Sequence, residues 1–225
     1  MGRTGERARE LLGRVPVLAA RDLVYGDRFY EVTDKETRQL YARIVDALLE
    51  LRSPRSVVDV GCGTGLMLER FAAHGVLVQG VEGSRSAIRR SSVGDRIHRA
   101  NLERGVPALG RFELCLCFEL AEHLRASSAG PLVEGLARLS DVVVFTAAAP
   151  GQPGIAHVNL RPKEYWSDLF AANGLERSLL EHELLEAVAD VPEPRYIHTN
   201  LMVFERTAAV VDGLADASSP YPPAS

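Results

Sequence analysis

Three glycines at alternate positions, Gly61, Gly63 and Gly65, sit in the segment Asp59-Val60-Gly61-Cys62-Gly63-Thr64-Gly65, directly after an apolar run. A strand that ends in such a turn before a helix lets backbone approach a ligand closely, because no side chain stands in the way. The spacing separates two uses of that device. A dinucleotide fingerprint places its third glycine one position later, where the turn packs against a pyrophosphate on the helix N-terminus. Here that position is Leu66. Asp59, two residues before the first glycine, puts a carboxylate beside the turn, which attracts an ammonium and repels a pyrophosphate. Glu82 follows the turn by about 20 residues, where an acidic side chain accepts hydrogen bonds from both hydroxyls of a ribose. A surface carboxylate at a strand end is the simpler alternative for Glu82.

The turn needs a strand before it and a helix after it, and the pattern supplies both: residues 56–60 read as a short buried strand and 66–74 as a helix. Upstream, Leu40, Ile44, Val45, Leu48 and Leu49 recur at helical spacing over residues 37–51, and Ser53-Pro54 ends that helix. Downstream, residues 76–81 form a second strand that finishes on Glu82-Gly83, 96–99 a third, 112–118 a strongly apolar fourth, and 142–146 a fifth. The fifth has the unbroken apolar character of a strand buried on both faces. Helices are expected at 132–139 and 162–173, the latter with a proline in its first turn and a stop at Asn173-Gly174. Two further runs, 179–188 and 197–204, read as strands of an antiparallel pair whose wide loop holds Pro192 and Pro194. The alternation predicts an α/β fold around a mostly parallel sheet. The chain divides into an N-terminal segment, 1–36, one domain, 37–206, and a tail, 207–225, rich in Ser and Pro and expected to be disordered.

The run Val57-Val58-Asp59-Val60-Gly61-Cys62-Gly63-Thr64-Gly65, then Glu82, then Phe112 to Glu119 with Ala121-Glu122-His123-Leu124, resembles the class I S-adenosylmethionine-dependent methyltransferase superfamily. The resemblance spans about residues 56–204. It implies a Rossmann-like sheet of seven strands with a C-terminal antiparallel hairpin, helices on both faces, and S-adenosylmethionine as cofactor. The ammonium expected beside Asp59 is then the cofactor's own. It further implies cofactor contacts from Asp59, Gly61, Cys62, Gly63, Gly65, Glu82, Phe118 and Glu119, with Asn101 and Leu102 beside the adenine. An Asn at the adenine position departs from the Asp frequent in the family, and can still hydrogen-bond an adenine edge. The later segment Gly154 to Asn159, with Pro162 and Glu164-Tyr165-Trp166, looks like a subgroup of small bacterial methyltransferases that act on glycans and secondary metabolites. It places Asn159 at the substrate.

Methyl transfer from a sulfonium is an in-line displacement in which the protein positions a nucleophile and manages its proton. His157, in the loop after the fifth strand, falls above the carboxyl ends of the strands, where ligands bind, and is the favoured general base. The alternative is a loop histidine that holds backbone. His123 is the second candidate, oriented by Glu119 if the intervening residues make a helical turn. Against it, the Glu-Ala-Glu-His stretch also suits a helix cap that braces the cofactor loop. Tyr25, Phe29 and Tyr30 are expected either to close a lid over the pocket and meet substrate or to pack an N-terminal segment on the sheet. Tyr165 is expected to wall the substrate pocket. No recognisable metal-ligand cluster accompanies these residues, so no metal is expected.

With 26 Lys and Arg against 30 Asp and Glu, the chain has no basic footprint of the kind that nucleic-acid binding requires. The three cysteines form no disulfide framework: Cys62 is in the turn, and Cys115 and Cys117 alternate in an apolar run as packing residues. A reducing, cytoplasmic setting fits them. No secretory signal and no run of membrane-spanning length is present, so the expected partner is a small-molecule acceptor, neither nucleic acid nor membrane, with a homodimer left open. The leading function is methyl transfer to oxygen or nitrogen of a small bacterial metabolite, a sugar or natural-product intermediate. Its alternatives are a protein of the same fold that binds S-adenosylmethionine but catalyses a cyclisation or elimination, a non-catalytic partner, and, disfavoured by Leu66 and Asp59, an NAD oxidoreductase.

Overall fold

The computed structural model describes residues 25–191 and 194–207; the disordered tail expected beyond these, and most of the N-terminal segment, lie outside them. Helix α1, Asp27–Arg52, begins ten residues earlier than the apolar spacing from Thr37 suggests. Its added turns keep the same stripe: Tyr30, Thr37, Leu40, Ile44, Val45 and Leu48 are buried at helical intervals. The helix ends where Ser53 turns left-handed at φ 45° and its N–H caps the Leu49 carbonyl, with Pro54 next.

Strands β1, Ser56–Val60, β2, Leu77–Glu82, β3, Ile97–Arg99, β4, Leu114–Cys117, and β5, Val142–Phe145, run parallel. Between them run α2, Leu66–Ala73, α3, Arg85–Arg90, and α4, Ala129–Leu139. After α5, Lys163–Ala171, comes β6, Leu175–Arg177, then α6, Leu180–Ala187, α7, Arg195–Asn200, and β7, Met202–Arg206. The seven strands lie in the order β3-β2-β1-β4-β5-β7-β6, with β7 antiparallel to both its neighbours. This is the Rossmann-like sheet with a C-terminal antiparallel pair that the resemblance implied.

The period of two along each strand splits the core into two layers. Val57, Leu114 and Leu116 point into the layer shared with α1, α2 and α6, whereas Val58, Cys115, Cys117 and Val143 point into the layer shared with α4 and α5. Cys115 and Cys117 are free and buried there. One expectation is corrected: residues 179–188 are not a strand. Leu180, Leu184 and Val188 recur every four residues and bury one helical face of α6, so the short apolar run had the helical period. The outer arm of the antiparallel pair is instead the short β6, and only the second half of 197–204 is extended, as β7. No helix among the described residues is long and apolar enough to cross a membrane.

Candidate active site

A cavity of about 600 Å³ opens over the carboxyl ends of β1, β2 and β4, roofed by the first half of α1. Its floor is the glycine turn. Gly61, Gly63 and Gly65 all have positive φ, at 82°, 54° and 77°, a region that only glycine enters without strain. A Cβ on Gly63 would face open cavity with only the Tyr30 ring, 3.7 Å away, near it, so this is where backbone meets ligand. A Cβ on Gly61 would instead strike Leu120 at 2.9 Å.

Glu82 ends β2 beside this turn. Its Oε2 accepts from the Gly63 N–H at 2.9 Å, and its Oε1 accepts from the N–H groups of Gly83 and Ser84 at 2.6 and 2.7 Å. The carboxylate therefore braces the turn through both of its oxygens. Asp59 is the opposite case. Its carboxyl is buried and its Oδ1 has no partner among the described residues. Burial, and then the charge of Glu82, push its pKa up to about 8. An unpaired buried carboxyl oxygen is costly, and an ammonium placed beside the turn removes that cost. Cys62 lines the cavity between them.

The roof comes from one face of α1. Tyr30, Thr33, Asp34, Thr37 and Tyr41 line the cavity at helical spacing, and Thr64 of the turn donates to Asp34 at 2.9 Å. Ahead of the helix, Tyr25 stacks edge-on against Phe29, and its hydroxyl lies 2.9 Å from His123 Nδ1. His123 stands on a one-turn 3-10 helix, Ala121–His123, so its ring is held by Tyr25 across 98 residues rather than by Glu119 four residues before it. The His123 and His157 rings meet edge to face, with centroids 4.9 Å apart.

The loop carrying His157 is shaped to deliver that ring. Gly154 leaves room for it, since a Cβ there would lie 2.0 Å from the imidazole. Ala156 adopts φ 57°, and the N–H groups of Val158 and Asn159 donate to the Glu122 carbonyl. Burial lowers the pKa of His157, while a hydrogen bond to the Gln152 backbone opposes the shift, so the ring is neutral at neutral pH. Its Nδ1 is shielded and has no partner.

Beneath the histidines are two carboxyl groups. Glu122 is fully buried, with Oε1 accepting from the Ala148 N–H at 3.3 Å and Oε2 without a partner. Burial and the charge of Glu119 push its pKa up to about 9. One ligand atom each from Glu122, His123 and His157 lie within 4.8 Å of one another. The sequence showed no metal-ligand cluster because the third member comes from a loop 34 residues away in the chain. Two histidines and a carboxylate are a donor set suited to a divalent ion, although a carboxyl that holds its proton to about pH 9 must first lose it. Glu119 holds a left-handed φ of 47°, its N–H donates to Thr146 Oγ1 at 2.8 Å, and its Oε1 has no partner.

The cavity walls thus bring together Asp59, Gly61, Cys62, Gly63, Glu82, Phe118, Glu119, Tyr25, Tyr30, His123 and His157. Gly65 supports the turn from behind, its Cβ position facing Val93 at 3.1 Å. Four expected residues stand elsewhere. Asn101 caps a 3-10 turn by accepting from the Glu103 N–H, and Leu102 packs in the core. Asn159 is buried, donates to the Ala121 carbonyl and accepts from Arg161, which pins the His157 loop from below. Tyr165 packs edge-on against Trp166 beneath the Arg161 guanidinium. Residues that sequence reasoning missed are Thr33, Asp34, Thr37 and Tyr41, whose 3-4 spacing was visible once the helix is extended to Asp27, and Tyr196, which carried no local signal.

Residues 33–140 match the model of a methyltransferase-domain family. That match agrees with the sheet order and the glycine turn on a methyltransferase domain of Rossmann-like fold. Among curated relatives, the ubiquinone biosynthesis O-methyltransferase of Coxiella burnetii is 34% identical over 77 residues, 31% of this chain and 33% of that protein. The Nitrosomonas europaea protein of the same name is 26% identical over 149 residues, 63% of this chain and 58% of that one. The chain thus spans between a third and three fifths of the length of these relatives. Among solved structures, the SAM-bound amino pentose methyltransferase from Micromonospora echinaspora, involved in calicheamicin biosynthesis, is 18% identical, with a TM-score of 0.60 over 79% of this chain and 96% of that chain. The cyclase SpnF superposes with a TM-score of 0.52 at 12% identity over 73% of this chain and 81% of that chain, so the fold also carries other chemistry.

Proposed function

We propose that this cavity binds S-adenosylmethionine and transfers its methyl group to an oxygen or nitrogen of a small molecule, a sugar or natural-product intermediate. The observation that carries the reading is the buried Asp59 carboxyl, whose Oδ1 has no partner among the described residues, beside an open glycine turn with Glu82 across it: one feature for an ammonium and one for a ribose. S-adenosylmethionine carries both groups, and a pyrophosphate cofactor would meet two carboxylates. Bound there, the cofactor supplies the sulfonium methyl group.

The protein's own part is positioning and proton transfer. With the Nδ1 proton of His123 directed at the Tyr25 hydroxyl and the Ala156 carbonyl, Nε2 carries the lone pair that takes the acceptor's proton. His157, neutral and shielded, packs against that ring and holds its orientation. The α1 roof keeps water from the reacting atoms. Calorimetric titration with S-adenosylmethionine, S-adenosylhomocysteine and NAD tests the binding step: tight binding of the first two and none of the third is expected, and the reverse order overturns the reading. A product one methyl heavier than its acceptor separates transfer from cyclisation or elimination.

A further inference from the structure

The described residues that line the cavity include five carboxylic acids, Asp34, Glu36, Asp59, Glu82 and Glu119, and no Lys or Arg. On the reading above, the cofactor's ammonium and ribose occupy Asp59 and Glu82. Asp34 is engaged by Thr64. Glu119 also engages Thr146, Asn200 and Glu122, but its Oε1 has no partner among the described residues, and with Glu36 on the α1 side it faces whatever the cofactor does not fill.

Glu119 repeats the features that mark Asp59. It lines the cavity, and its Oε1 is shielded from water without a hydrogen-bond partner. Its backbone also holds a positive φ of 47°, which a non-glycine residue keeps only where its surroundings enforce it. Here the Thr146 hydroxyl accepts the Glu119 N–H and fixes the turn that points this side chain. Aromatic groups line the same cavity: Tyr41 meets Phe118 edge-on at 5.7 Å, and Tyr196 shares the wall. Burial raises the pKa of Glu119, and an ammonium beside it favours the ionised form. A carboxylate among aromatic rings is a binding environment for an ammonium, which gains a charge-assisted hydrogen bond and the negative faces of the rings. An anion in the same place would meet like charge, with no Lys or Arg among the described lining residues to offset it.

We propose that the acceptor is an amine that enters as its ammonium form and is held by Glu119 within the Tyr41, Phe118 and Tyr196 rings, so that acceptors bearing a phosphate or carboxylate at this end are rejected. This rests on the methyl-transfer reading and names its acceptor class. The step balances as follows. The ammonium gives one proton to His123, the freed nitrogen lone pair attacks the sulfonium methyl, the carbon–sulfur bond breaks with its electron pair left on sulfur, and the product is the methylated ammonium with neutral S-adenosylhomocysteine.

The test uses the full chain loaded with S-adenosylhomocysteine and three probes that share a ring, benzylamine, benzyl alcohol and benzoate, titrated calorimetrically. Benzylamine should bind at least about tenfold more tightly than benzyl alcohol, the scale of a hydrogen bond to a charged group, and benzoate more weakly than either. Glu119→Gln, nearly isosteric, should erase the amine's margin and leave benzyl alcohol unchanged. Benzoate binding as well as benzylamine, equal binding of all three, binding of none at tens of millimolar, or an undiminished margin in Glu119→Gln would each overturn the proposal. The comparison in the unsubstituted protein decides it even if Glu119→Gln fails to fold. Failure to bind S-adenosylhomocysteine removes the methyl-transfer reading and this inference with it, whereas cofactor binding without amine preference removes this inference alone.

Discussion

Replacing Glu82 by Ala separates two roles that the structure assigns to a single carboxylate. In the folded protein it accepts from three backbone N–H groups, those of Gly63, Gly83 and Ser84, at 2.6 to 2.9 Å. Hydrogen bonds to a charged acceptor are worth about 1.5–3 kcal/mol each, but the site opens to water, which can replace part of what is lost. A net loss of about 2–4 kcal/mol follows, and for a chain of this size that lowers the melting temperature by about 5–15 °C. The cofactor loses its ribose partner and, in addition, meets a turn no longer held in shape. Affinity for S-adenosylmethionine should therefore fall by at least about 10- to 100-fold, the equivalent of 1.5–3 kcal/mol. Differential scanning calorimetry and titration calorimetry on the same preparation read the two effects. Glu82→Gln adds a control, because its amide keeps one acceptor oxygen but sets an NH2 group against N–H donors, so it should recover little of either quantity. An unchanged dissociation constant in Glu82→Ala, with or without a stability loss, would refute the ribose role; an unchanged melting temperature would refute the bracing role.

Gly63→Val should fold yet lose cofactor binding, because the new side chain enters the cavity beneath Tyr30 at a positive φ; calorimetric binding like that of the unsubstituted protein would show that the turn does not approach the ligand. Asp59 makes binding depend on pH. Its carboxyl is protonated in the empty protein below about pH 8, an ammonium requires it ionised, so binding releases a proton and affinity for S-adenosylmethionine should rise from pH 6 to 8. By the same linkage the empty protein holds a proton there that the unfolded chain has lost, and its stability should fall as pH rises from about 4 towards 8. Both trends should vanish in Asp59→Asn, and a flat profile for the unsubstituted protein would contradict the burial argument. His123→Ala should lower single-turnover methyl transfer by a factor of about 10²–10⁴ and remove the acidic limb of its pH profile, with cofactor affinity nearly unchanged. If that limb instead disappears in His157→Ala and persists in His123→Ala, the roles of the two rings are exchanged.

Much of this protein was legible along the chain because the relevant physics is local. The glycine turn, the carboxylates at Asp59 and Glu82, and the strand–helix alternation from β1 to β5 follow from residue types at short spacing: glycine permits positive φ, and period two or 3.6 assigns the element. The antiparallel end of the sheet was also foreseen, but through the wrong segment. Over 179–188 a short apolar run fits either period by eye, and only its contact with α1 and β7 made the four-residue spacing of Leu180, Leu184 and Val188 the one that buries.

What the sequence by itself determined, then, is the half of the cavity proposed for the cofactor, built from one turn and the ends of two adjacent strands. The half proposed for the acceptor was decided by the tertiary structure. Tyr25 meets His123, and His157 meets His123 and Glu122, across separations of 34 to 98 residues, and Tyr41, Glu119 and Tyr196 come together on one cavity wall. Nothing local encodes such meetings, because they depend on where the helix before β1, the loop after β5 and the helix before β7 converge above the sheet. The orphaned oxygens of Asp59, Glu119 and Glu122 belong to the same class of fact. Whether a carboxylate is solvated, paired or left waiting for a ligand depends on its whole surroundings, and those exist only once the chain has folded.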